Sequence, residues 1–215
     1  MTIRVFLLDD HALVRAGFRM ILSAEADIAV VGEAASGEEG LPQIRALAPD
    51  VVLCDLHLPG VSGLEVTERL MRAKDPARVV IVSVQEDGPL PRRLLEAGAC
   101  GYVGKGGDAA ELLRAVRDAA AGRRYLGGQV AQMLALDSLA GERSPFDQLT
   151  PRELEVALML SQGRRMDDIA KRLCLSPKTV ATHKYRLLDK LGVTDTVPLA
   201  RLLAQHGLST PEEAL

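Results

Sequence analysis

Val79-Val80-Ile81-Val82 is an unbroken apolar run that ends at Ser83. Four apolar residues in succession cannot alternate between a core face and a wet face. The run therefore fits a strand buried on both sides, as in a parallel sheet lying under helices. Working outward, similar short runs stand at Ile3–Leu8, Ile28–Gly32, Val51–Cys54 and Gly101–Val103. Amphipathic stretches separate them, and their starts are readable. Ser36, Ser62 and Asp108 each precede a glutamate by three positions (Glu39, Glu65, Glu111), the spacing of a helix N-cap box. A βα pattern repeated five times across residues 1–122 predicts an α/β domain with a doubly wound five-stranded parallel sheet, strand order 2-1-3-4-5.

After Ala121 the pattern changes. Residues 123–147 read as a connection, with a helix expected over Gln129–Leu139 and a Gly/Pro-containing linker at 141–145. From Thr150 onward no strand candidate has any weight. Thr150-Pro151-Arg152-Glu153 is a capping box with proline at the first helical position. Helices follow at Met166–Leu173, Pro177–Leu191 and Thr196–Gln205, so residues 148–215 form a small all-α domain.

Composition narrows the function classes. The 215 residues are 47% hydrophobic and 26% charged, ordinary globular usage, with a net charge of -3. Aromatics make up 3% and tryptophan is missing, so a stacking platform for single strands is not expected. Cys54, Cys100 and Cys174 lie far apart and form no zinc set. The N-terminus carries only a short apolar run before Asp9, and the longest uncharged apolar-rich stretch, Tyr125 to Leu136, cannot span a bilayer. A cytoplasmic protein with no membrane partner is expected. Charge is unevenly divided: residues 1–144 carry 16 Lys+Arg against 20 Asp+Glu, whereas residues 163–191 carry 8 against 3. That basic segment reads equally as a solvated helical face or as a local nucleic-acid footprint.

In a doubly wound sheet the binding crevice lies beyond the carboxyl ends of the strands. Asp9 and Asp10 follow the first strand and Asp55 the third, two neighbours in the expected order. Clustered carboxylates repel unless a cation joins them, and oxygen-only ligation suits Mg2+. The dication would let a phosphoryl anion approach a carboxylate oxygen acting as nucleophile. Ser83 ends the fourth strand with a hydroxyl and Lys105 follows the fifth with a charge for a phosphoryl oxygen. Each residue alone reads best as a cap or a surface group. It is the set, each member at a strand's carboxyl end, that points to a site. His11 is expected at the start of the first helix beside this pocket, and Cys54 in the core.

On Pro177–Leu191, a turn of 100° per residue gathers Val180, Leu187 and Leu191 in one stripe, with Leu188 and the Lys184 stem flanking it. Lys178, Thr182, Tyr185 and Arg186 face the other way, with Ala181 at the edge. That display suits insertion into a major groove. Periodicity alone favours a plain solvated amphipathic helix.

These residues carry a resemblance. Leu-Leu-Asp-Asp-His at 7–11, Leu-Cys-Asp-Leu-His-Leu-Pro-Gly at 53–60, Ile-Val-Ser at 81–83 and Gly-Tyr-Val-Gly-Lys at 101–105 resemble the signatures of a flavodoxin-like response-regulator receiver. The resemblance implies that Asp55 is the phosphoacceptor. Asp9, Asp10, Asp55 and the main-chain carbonyl of His57 would hold Mg2+, and Ser83, Tyr102 and Lys105 would form the switch. Tyr102 would turn toward the core when Ser83 is drawn in. Residues 149–156, 167–180 and 183–193 resemble the LuxR-type helix-turn-helix, and the two modules together resemble the NarL/FixJ family. Asp-His-Ala-Leu-Val-Arg-Ala-Gly at 10–17, Pro-Leu-Pro at 89–91, Ser-Pro-Phe at 144–146 and Gln-His-Gly-Leu at 205–208 resemble its GacA/UvrY subgroup.

By that likeness Ala181, Thr182 and Tyr185 read base edges, while Lys178, Thr179, Lys190 and His183 touch phosphates. The expectation is a two-component response regulator. A sensor histidine kinase phosphorylates it on Asp55, it binds double-stranded DNA as a homodimer, and it regulates transcription without being an enzyme. Two rivals stand beside it. One is a DNA-binding regulator that is never phosphorylated. The other is an aspartate-nucleophile phosphatase, which would want an acid two positions after the nucleophile, where this chain has His57.

Overall fold

The computed structural model describes residues 2–84, 90–140, 144–173 and 175–206, the side chains at 137–140 and 151 aside. Pro89, Cys174, linker residues 141–143 and residues 207–208 of the sequence reading lie outside the described residues. The chain divides into two compact units, the first reaching Leu136 and the second running from Asp137.

In the first unit strands β1 (Ile3–Leu8), β2 (Ile28–Ala34), β3 (Val51–Asp55), β4 (Arg78–Ser83) and β5 (Gly101–Gly104) alternate with helices α1 (Ala12–Ser23), α2 (Gly37–Leu47), α3 (Gly63–Arg72), α4 (Leu90–Glu96) and α5 (Ala109–Ala120). All strand pairs are parallel. The helix starts are capped as the sequence predicts. Ser36, Ser62 and Asp108 accept hydrogen bonds from the amides of Glu39, Glu65 and Glu111. Along β1 the side chains alternate. Val5 and Leu7 join Val51, Leu53, Val80, Val82 and Val103 in a buried cluster with Leu112 and Val116 of α5. Phe6 and Leu8 point the other way, toward Leu47 and Gly40 of α2. Both faces are thus dry, which is why β3 and β4 read as continuous apolar runs.

The expected five strands become six. A short β6 (Tyr125–Leu126) adds to the edge, giving the order β2-β1-β3-β4-β5-β6. Tyr125 N donates to Cys100 O at 3.0 Å and Gly127 N to Tyr102 O at 2.9 Å. Two residues between a double arginine and a double glycine carry no periodicity, so nothing local marks them as a strand. They pair because the turn at Gly122 (φ 74°) brings them back to the open side of β5. Helix α6 follows over Gly128–Ala140.

After the end of α6, the second unit has a 3-10 turn (Pro145–Gln148) and continues with α7 (Pro151–Ser161), α8 (Met166–Arg172), α9 (Pro177–Leu191) and α10 (Thr196–Gln205). Thr150 and Glu153 form the predicted reciprocal box at the start of α7. Ser176 caps α9 through Thr179 N, and Gly192 (φ 65°) ends it in the left-handed region that glycine adopts without strain. Phe146, Leu154, Ile169, Val180, Leu187, Leu199 and Leu203 are buried.

Candidate functional site

The strand ends bring the predicted pocket together. Asp9 and Asp55 are buried, and Lys105 Nζ lies 2.7 Å from Asp9 Oδ2 and 3.0 Å from Asp55 Oδ2. The backbone positions all three. Lys105 N donates to Ser83 O at 2.7 Å, which registers β5's end against β4's. His57 N donates to Asp55 Oδ1 at 3.3 Å, and His11 N donates to Asp9 Oδ1 at 2.8 Å. Arg15 Nη1 donates to the Asp9 carbonyl, fastening the chain where strand becomes helix.

Burial pushes the Asp55 carboxyl above its usual range, with Lys105 opposing the shift and Asp9 adding to it. For Lys105, burial disfavours the charge, but the bonds to Asp9 and Asp55 outweigh it and hold the ammonium more firmly protonated than usual. Three carboxylates against one ammonium leave two formal negative charges, which a dication would balance. Asp9, Asp10, His11 and Asp55 each offer one ligand atom, all within 4.8 Å of one another. This donor set fits a metal ion. His11 is the member that sequence reading left beside the pocket. It stands at the N-cap position of α1 without a side-chain cap bond, and its Nδ1 lies 2.6 Å from Asp10 Oδ1. Its place immediately after the acidic pair was the available signal.

Ser83 and Tyr102 are fully buried. The Tyr102 ring is thus already withdrawn from solvent in this structure.

In the second unit, Val180 and Leu187 of α9 face the core, and Lys178, Ala181, Thr182, Tyr185 and Arg186 are exposed. Tyr185, 76% exposed, is the largest apolar surface on that face. Thr182 donates its hydroxyl to Lys178 O at 3.0 Å, leaving the oxygen's lone pairs outward. Thr179 shares its hydroxyl with Ser176 at 2.8 Å.

Two expected phosphate contacts turn out to have inward neighbours. Lys190 Nζ lies 2.6 Å from the buried carboxylate of Glu153, and Gln148 donates to Lys190 O. His183 is half-buried, with Nδ1 lacking a hydrogen-bond partner among the described residues. Burial, then the neighbouring Arg152, lowers its pKa from the usual imidazole value. Sequence reading did not find Glu153 as Lys190's partner, since they are 37 positions apart.

Residues 5–117 match the response regulator receiver domain, and residues 147–203 match the bacterial regulatory proteins of the luxR family. The chain is similar to the response regulator GacA of Pseudomonas viridiflava, 47% identical over 208 residues that cover 96% of this chain and 97% of the relative. It is similar to the response regulator UvrY of Escherichia coli, 41% identical over 212 residues, or 98% of this chain and 97% of the relative. Among solved structures, RcsB from Salmonella enterica serovar Typhimurium, bound to a promoter in the presence of the phosphomimetic BeF3−, is similar at 25% identity. Its TM-score is 0.70, over 95% of this chain and 100% of that one. No helix among the described residues is long and apolar enough to cross a membrane.

Proposed function

Because the chain belongs to the response regulators that join a receiver to a LuxR-type DNA-binding domain, we propose that Asp55 is its phosphoacceptor and that α9 carries its DNA contacts. Membership makes it a regulator of transcription in two-component signalling. A sensor histidine kinase supplies the phosphoryl group. The observation that carries the reading is the Lys105 ammonium bridging Asp9 and Asp55 at the mouth of the carboxylate cluster.

Asp9, Asp10, Asp55 and the main-chain carbonyl of His57 would hold Mg2+, which supplies the positive charge that lets a phosphoryl anion approach a carboxylate. The protein's own groups do the rest. An Asp55 oxygen attacks phosphorus and the donor's leaving group departs, so the charge gained at Asp55 falls within reach of Lys105 and the Ser83 hydroxyl. Tyr102, buried in β5, is the third member of that switch. The biased surface comprises α4, β5 and α5.

In the output domain Ala181, Thr182 and Tyr185 read base edges from the exposed face of α9, and Lys178 and Thr179 meet phosphates near its N-terminus. Lys190 and His183, with their inward neighbours, contribute to phosphate binding less than Lys178 does. The chain binds double-stranded DNA as a homodimer, and it works in the cytoplasm where that DNA is. The test is incubation of the full chain with an acyl phosphate and Mg2+. One phosphoryl group should be added, and both Asp55→Asn and chelation of the metal should abolish it. Undiminished labelling of Asp55→Asn would refute the assignment.

A further inference from the structure

The segment that leaves Asp55 is held by a residue from another helix. Residues 56–62 connect β3 to α3, and the segment has a tie at each end. At one end Gly63 N donates to Leu56 O at 3.0 Å. At the other, Val61 N donates to Glu38 Oε1 at 3.1 Å, and Glu38 belongs to the first turn of α2, 23 positions away. Between the ties Leu56 and Leu58 are buried, so the peptides on either side of His57 are pinned by their neighbours' side chains. The fit around Glu38 is close. Gly60 has φ +71°, the left-handed region that favours glycine, and a Cβ there would stand 2.2 Å from Glu38 Oε1, so the carboxylate fills the space beside it. Gly37, also in α2's first turn, has no room for a Cβ either, because Val61 O would lie 2.7 Å from it. The carboxylate sits where the helix N-terminus favours negative charge.

We propose that Glu38 is a positioning residue for the phosphoacceptor site: its hydrogen bond to Val61 N holds the 56–62 segment in the place that lets the His57 carbonyl join Asp55 around a dication. The inference rests on the reading of Asp55 and His57 given above. Glu38 touches no reacting atom. It acts by narrowing the positions open to the His57 peptide, and a ligand left free by even half an ångström loses much of its contribution to a rigid site. Residues that orient a metal ligand cost roughly tenfold in affinity when removed, the lower end of their usual range. Gln retains the accepting oxygen at the same reach, and Ala does not.

The test uses the full chain and Mn2+ alone, followed by the loss of the free-ion paramagnetic resonance signal. Glu38→Ala should weaken Mn2+ binding by roughly tenfold, whereas Glu38→Gln stays within about twofold of wild type. Labelling of Asp55 by an acyl phosphate should show the same split. In Glu38→Ala the Mg2+ concentration for half-maximal rate rises, and the rate at saturating Mg2+ is retained. Amide exchange across 56–61 should quicken in Glu38→Ala while exchange in β3 does not.

Equal Mn2+ affinity in wild type and a folded Glu38→Ala would overturn the proposal. If wild type and Asp55→Asn label alike, the Asp55 reading has failed instead.

Discussion

The Lys105 ammonium stands 3.0 Å from the Asp55 carboxylate, in a pocket where both side chains are largely withdrawn from water. With Asp9 at 2.7 Å from the same nitrogen, one positive charge serves two buried negative ones. The pair is therefore held together and also left short of positive charge. Lys105→Ala should strip compensation from both carboxylates and destabilise the receiver by roughly 1–3 kcal/mol. Mg2+ should recover part of the loss, because a ligand that binds only the folded state stabilises it by mass action. Thermal melts with and without Mg2+ measure both. A variant that melts like wild type in the absence of metal would show that the ion pair carries no net stability.

Ser83 is buried where a phosphoryl oxygen on Asp55 would be reached. Ser83→Ala should still accept phosphate, and its self-association should respond less to BeF3− than that of wild type. Sedimentation equilibrium reads the association constant in each state. An unchanged constant in wild type, with unchanged DNA affinity, would mean that the receiver does not gate the output by pairing.

The exposed face of α9 separates two kinds of contact. Tyr185→Ala or Thr182→Ala should reduce discrimination between operator and random duplex by about 1–3 kcal/mol. Lys178→Ala should weaken all sequences alike and shrink the salt slope by roughly one. Titrations at several salt concentrations distinguish the two patterns.

His183 should behave unlike Lys178. Burial and Arg152 hold its pKa below the usual value, so the native state favours the neutral ring. The associated stability is present above about pH 6.5, the unfolded value, and is lost as pH falls through the lower native one. At pH 7.5 the ring brings no charge to DNA, and His183→Gln should leave the salt slope unchanged. A drop of one in that slope would assign His183 a phosphate after all.

Glu153 joins the α7 capping box to Lys190. Burial raises its pKa, but the bonds from Lys190 and Thr150 outweigh that and hold the carboxyl below its usual range. The native state favours the ionised form, so its contribution is present above about pH 4.3 and fades as pH falls through the lower native value. Glu153→Gln keeps the capping-box acceptor but loses the charge paired with Lys190, so it should cost about 1 kcal/mol at neutral pH, and the deficit should close in acid. Denaturant unfolding across that range tests the sign.

Most of the architecture is legible locally. Helix starts are written in Ser36, Ser62, Asp108, Thr150 and Ser176 because a cap needs a side chain and an amide only three positions apart. The pocket is legible for a related reason: Asp9, Asp55, Ser83 and Lys105 each follow an apolar run, and strands of a parallel sheet all deliver their carboxyl ends to one edge. The buried stripe of Val180 and Leu187 follows from helical periodicity alone.

What the tertiary structure decided are the pairings between residues that no local period relates. Tyr125–Leu126 became a strand only because β5 had an open edge within reach. Lys190 met Glu153, and Glu38 met Val61, because packing closed distances that the chain leaves long. Tyr102 is fully buried in a strand that lies between β4 and β6, a neighbour that no local period foretells. Periodicity and capping act within a helical turn or a few strand residues. Which distant donor satisfies which buried acceptor is settled only when the elements pack and every polar group taken from water must find a partner.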